Sequence, residues 1–152
     1  MSIVSGLRSP YVKTGRIVYF ARMLDKIRLQ HAGRLPAAEY AANLGQGFDA
    51  RCCSLLRVGY DDLKTRTLAG DLSDAQLLAW AEERGGRRTD EECEVWNGFM
   101  MKRGWRDAAA DVLARRIRES ALEDKSIFTM FDYIDFDEGR DPVSARAWEI
   151  RD

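Results

Sequence analysis

The chain has 152 residues, 45% hydrophobic and 32% charged, with 24 Lys and Arg against 25 Asp and Glu and a single His. A chain of this length buries roughly 70% of the surface its unfolded form exposes, so a core can form without disulfides or a metal staple, and the composition excludes disordered, collagen-like and coiled-coil classes. The longest run without a charge, Tyr40 to Phe48, has nine residues, against the ~20 apolar residues of a membrane span.

At the N-terminus Arg8, Lys13 and Arg16 interrupt short apolar pieces, which does not fit the hydrophobic stretch of a secretory signal. Residues 15 to 32 read as the first long helix, closed by Gly33 and followed by Pro36. Steps of 100° place Ile17, Phe20, Met23, Leu24, Ile27 and His31 on one face, expected to be core, with His31, near the helix C-terminus, either a hydrogen-bonded core histidine or one favoured by the helix dipole. Val18 and Leu29 form a second apolar strip, so this helix is expected to be contacted on two sides.

A short helix over Ala37 to Ala42 precedes the Gly45-Gln-Gly47 loop. Asp49 is then the expected N-cap of a helix carrying Cys52, Leu55 and Leu56, with Gly59 at its end. Asp61 to Ala69 forms another short helix before Gly70. Ser73 with Gln76, and Thr89 with Glu92, are capping boxes that start helices over 74 to 84 and 90 to 103. In the second of these Val95, Trp96, Phe99 and Met100 share a broad apolar face, and Asp90, Glu91 and Glu92 stand at the positive end of the helix dipole. Residues 106 to 121 follow with Ala110, Leu113, Ile117 and Ala121 at helical spacing, then a short apolar helix around Ile127 to Ile134. From Asp135 onward the chain is acidic and expected to be irregular. The reading is an all-α bundle of about six to eight helices in a single domain, residues 1 to 152.

Charge is unevenly placed. Residues 1 to 70 hold 11 basic and 5 acidic side chains, a net +6, and residues 71 to 152 hold 13 and 20, a net −7. The basic surplus sits in residues 1 to 34; residues 119 to 152 carry 10 acidic against 4 basic side chains. The two segments can pair with one another, or the basic one can hold an anionic partner.

Several motifs fail on context. Gly45-Gln-Gly47-Phe-Asp-Ala50 has the dinucleotide-binding spacing, but no β-strand precedes it; what survives is a glycine loop at a helix N-terminus with Arg51 in the first turn, able to cradle an anion. Asp135 to Asp141 begins like a calcium loop, yet Arg140 occupies the glycine position and Arg146 that of the bidentate Glu; it reads as an acidic turn paired with nearby Arg. With one His, a catalytic triad or a zinc site of several imidazoles is impossible within the chain. Cys52, Cys53 and Cys93 suggest no disulfide framework; Cys52 and Cys93 read as small core hydrophobes, Cys53 as more exposed. No metal or cofactor is implied. Arg115, Arg116 and Arg118 suggest a helix-turn-helix, but neutral overall charge, three alanines and Asp111 at the start of the second helix oppose nucleic-acid binding.

Arg8-Ser-Pro10, Ala21-Arg-Met-Leu-Asp-Lys26, Phe48-Asp-Ala-Arg-Cys-Cys53, Val95-Trp-Asn-Gly-Phe-Met-Met-Lys-Arg-Gly-Trp-Arg-Asp107, Phe131-Asp-Tyr-Ile-Asp135 and Asp137-Glu-Gly-Arg140 resemble a bacterial family catalogued as domain of unknown function 5069. The resemblance spans almost the whole chain. It implies one full-length domain in a bacterial cytoplasm and brings no activity or catalytic residues.

Two functions follow from the residues. In the first, Arg8, Arg22, Lys26, Arg51 and Trp105 surround a cleft near the Gly45 loop that binds a small anionic ligand or a protein partner. In the second, Asp25 is a general base positioned by Arg22 and Lys26, although those cations oppose the raised pKa such a base needs. A homodimer is compatible with the apolar share of several helices.

Overall fold

Gly15 decides how the chain begins. Its φ of 56° lets the backbone reverse over Gly15 and Arg16, so that Lys13–Thr14 (β1) and Ile17–Val18 (β2) pair antiparallel, Lys13 opposite Val18 and Thr14 opposite Ile17. The chain, described over residues 3–149 by a computed structural model, therefore does not enter its first helix at residue 15. The β-branched Ile17 and Val18 belong to the hairpin, and α1 runs over Phe20–His31. Phe20, Met23, Leu24 and Ile27 form its core face as expected. His31 lies on the same line but is exposed; in the last turn of α1 it is Leu29 that is buried, against Val4, Leu7 and Tyr40.

After α2 (Ala37–Tyr40) and a 3-10 turn at Ala41–Asn43 come α3 (Phe48–Leu56), α4 (Tyr60–Leu68), α5 (Asp74–Gly85) and α6 (Asp90–Lys102). The N-cap of α3 is Gly47, not Asp49, which sits inside the first turn and is fully buried. Both capping boxes form, with Ser73 and Thr89 accepting from the backbone of Gln76 and Glu92. α7 (Ala110–Glu119) starts later than 106 because the Asp107 carboxylate first gathers the Gly104 and Ala109 N–H groups into a turn.

α8 (Met130–Asp137) and α9 (Pro142–Ala145) follow, then a 3-10 turn at Ala147–Glu149. The segment expected to be irregular thus continues α8 past Asp135 and is capped again at Asp141, whose side chain accepts from the Val143 N–H. Among the described residues no helix is long and apolar enough to cross a membrane.

α1 is central. α6 lies against the hairpin, where Trp96 Nε1 donates to the Val18 carbonyl at 3.2 Å and Asn97 both accepts from Val18 N and donates to the Arg16 carbonyl. Phe131 of α8 also enters the core, edge-on to Tyr11 at 5.2 Å and to Phe48 at 5.5 Å. All three cysteines are buried, Cys53 included, and unpaired. The end of α5 meets the end of α3 so closely that a Cβ on Gly85 would stand 1.9 Å from the Leu56 carbonyl oxygen. At the C-terminal end the Trp148 indole donates to the Tyr11 carbonyl at 2.9 Å, with the Lys13 ammonium 3.8 Å from its ring centroid.

Candidate functional site: a buried charge network and an apolar groove

α1 carries Arg22, Asp25 and Lys26 into the interior, each less than a tenth exposed. A charge taken out of water must be matched at close range, and here each is. Asp25 accepts from the Arg8 backbone N–H and from Arg8 Nε and Nη2, all at 2.9 Å. Arg8 and Arg28 also both reach Asp74 at the start of α5. Arg22 grips Glu138 with both terminal nitrogens, at 2.7 and 2.6 Å, and Glu138 accepts in addition from Tyr40 and Arg140. Arg140 continues to Asp135, which takes the Ser9 hydroxyl at 2.8 Å. Lys26 donates to Asp49 at 2.6 Å and to the Tyr19 hydroxyl at 2.9 Å, and Tyr19 itself donates to Asp49.

These surroundings move the titrations in opposite directions. Burial disfavours the Glu138 carboxylate, but hydrogen bonds and charge from Arg22, with Tyr40 and Arg140, outweigh it and hold the group below its ordinary value. Asp135 goes the other way: burial raises it despite Ser9 and Arg140. Burial lowers Lys26 although Asp49 opposes the change.

The residues singled out in the sequence separate in space. Arg8, Arg22, Lys26 and Asp25 join this network, each engaged with partners from its own chain. Arg51 is exposed on α3. Trp105, 49% exposed, stands at the junction of α6 and α7 with the Arg106 guanidinium 5.1 Å from its ring. The hollow beside Gly45 is bordered by Gly59, Tyr60, Asp61 and Asp62 and includes none of the five proposed ligand-binding residues. Among the described residues no group of His, Cys, Asp and Glu has a geometry that could hold a metal ion.

Arg51 instead lines an open groove of about 800 Å³ between α3 and α6. The two helices run antiparallel along it. Arg51, early in α3, lies over the ring of Phe99, late in α6, at 5.0 Å. At the opposite end the groove is lined by Leu55, late in α3, and by Glu91 and Glu92, early in α6. Leu55, Val95, Trp96 and Phe99 give the groove an apolar lining. Its ends are charged: Arg51 and Arg103 flank Phe99, and Glu91 and Glu92 close the other end. Of the broad apolar face expected on α6, Trp96 and Met100 are buried, whereas Val95 is 66% exposed and Phe99 39%. The signal lay in their spacing: Glu91, Val95 and Phe99 follow at intervals of four on one side of α6.

Residues 4–140 match the family described as Domain of unknown function (DUF5069). The chain belongs to that family. No curated protein and no solved structure matches it. The DUF5069 span contains the whole Arg8 to Arg140 network and both walls of the groove, and it ends before α9.

Proposed function

We propose that this member of DUF5069 is a binding domain that takes an amphipathic helical segment of a protein partner into the groove between α3 and α6. The observation that carries the reading is the exposure of Val95 and Phe99 side by side along an apolar groove, where a lone exposed hydrophobe would call for no explanation. Helix-in-groove recognition uses such a surface, with anchors at every third and fourth position. Arg51 and Arg103 favour an acidic residue at one end of the partner helix, and Glu91 and Glu92 a basic one at the other.

A small anionic ligand has less support, since of the cations expected to bind it only Arg51 faces this groove. The Asp25 reaction has less still, because both oxygens of Asp25 accept from Arg8. A cytoplasmic setting belongs to the same reading and is supported by three buried, unpaired cysteines.

Two helical peptides with the same apolar stripe and opposite charge polarity test the proposal. In two-dimensional NMR the peptide whose acid meets Arg51 shifts the resonances of Arg51, Leu55 and Val95, and the reversed peptide binds about tenfold more weakly, the scale of a misplaced charge pair at an interface. If neither peptide moves those resonances, the groove is not a binding surface.

A further inference from the structure

α6 itself carries the stripe that the groove calls for. Glu91, Val95, Phe99 and Lys102 are spaced four, four and three apart, so at 100° per residue they share one outward face. Glu91 and Lys102 are exposed, as are the two apolar residues between them. Gly98 lies on the same side of the helix, and a Cβ built on it meets nothing within 4 Å, so a second backbone can approach closely there. Read along α6 the order is acid, apolar, apolar, base. Read from the other end, the same order is its electrostatic complement.

A face with that property matches itself under a twofold axis. With the axis near Trp96 and Asn97, Glu91 meets Lys102 of the second copy, and Val95 meets Phe99 and the open space at Gly98. Arg51 and Arg103 then lie towards the second copy's acidic end, and Glu92 reinforces Glu91. We propose that the partner helix is α6 of a second copy of this chain, packed antiparallel so that each Val95–Phe99 ridge enters the other copy's α3/α6 groove. The inference rests on the reading of the groove as a binding surface and names its occupant.

Sedimentation velocity of the full chain, from ~1 µM to ~1 mM, a range that spans moderate to weak association, tests it. The expected result is a concentration-dependent dimer at twice the 17.3 kDa chain mass. Val95→Asp abolishes it, Glu91→Lys or Lys102→Glu alone weakens it about tenfold, and the two together recover part of the loss, since the exchanged pair still matches while Arg51 and Arg103 face a like charge. The rescue by the double exchange carries the test even if Val95→Asp fails to fold. A chain that stays monomeric across the range, or a dimer indifferent to all of these changes, overturns the inference. A monomer that still binds the matched peptide loses this occupant and keeps the groove as a binding surface, whereas a monomer that binds neither peptide loses both.

Discussion

At Arg22 a guanidinium loses its water and receives, in exchange, both oxygens of Glu138 and the Arg8 carbonyl. Removing one side of such a pair leaves the other buried without its counter-charge, which costs about 3–5 kcal/mol, while removing both sides is far milder. Arg22→Met is therefore expected to lower unfolding stability in urea by roughly that 3–5 kcal/mol, and Arg22→Met with Glu138→Met by much less than the two single changes added. The pH dependence follows from the same contact. Glu138 is held below its ordinary 4.5, so the stability it lends is complete above 4.5 and drains away as pH falls through the lower folded value. Asp135, raised by burial, acts in the opposite sense, because its charged form is the less favoured one in the fold. Urea titrations between pH 7 and acid are expected to show a shallower acid loss in the double variant than in the wild type. In the sequence Arg22, Asp25 and Lys26 stood out through their spacing within one helix. That Glu138, Arg8 and Asp49 are their partners did not, although Arg8 was expected in a ligand cleft and Asp49 at an N-cap, because pairing across 116, 17 and 23 residues leaves no local pattern.

Elements were legible where their causes are local. The capping boxes that open α5 and α6 need only residues three apart, and both form as the spacing predicts. The β1–β2 hairpin was hidden because Ile17 also continues a helical apolar row through Phe20 and Leu24, and a period of 3.6 read forward from Gly15 absorbs the turn. Val95 and Phe99 illustrate the limit of an amphipathic face: it says which residues are apolar, and only the neighbouring helix decides which of them is covered. α5 against α3 depends on one such neighbour. Any side chain at Gly85 enters the space of the Leu56 carbonyl, with the Arg57 carbonyl at 3.0 Å, and neither backbone group can rotate away. Gly85→Ala is expected to destabilise by about 1–3 kcal/mol, the cost of displacing packed backbone, read as a lower urea midpoint with an unchanged slope.

For the molecule as a whole, the charge asymmetry resolves internally, though not simply end against end. Arg22 takes its counter-charge from Glu138 in the acidic C-terminal segment, but Arg8 and Arg28 meet Asp74, Arg16 meets Asp90 and Lys26 meets Asp49, all from the middle of the chain. Composition could reveal the surplus on each side and not the matching, since net charge carries no geometry. The last segment is nonetheless indispensable. Phe131 fills the core, and Asp132, Asp135 and Glu138 satisfy Tyr11, Ser9 and Arg22. A chain ending at Phe128 is expected to lose cooperative thermal unfolding, monitored by near-ultraviolet circular dichroism, because it opens the core and strands a buried cation together.

The long reach between Arg22 and Glu138 also bears on how the protein is made. At a synthesis rate of ~5–20 residues per second, Arg22 is translated roughly 6–23 s before the carboxylate that neutralises it, 116 residues further on. Until then Arg22 lacks its counter-charge, whereas Lys26 and Arg28 find Asp49 and Asp74 earlier in the chain. The Arg22 contact is thus a late closing step, when α8 arrives to seal an interior that the first helix has already laid out.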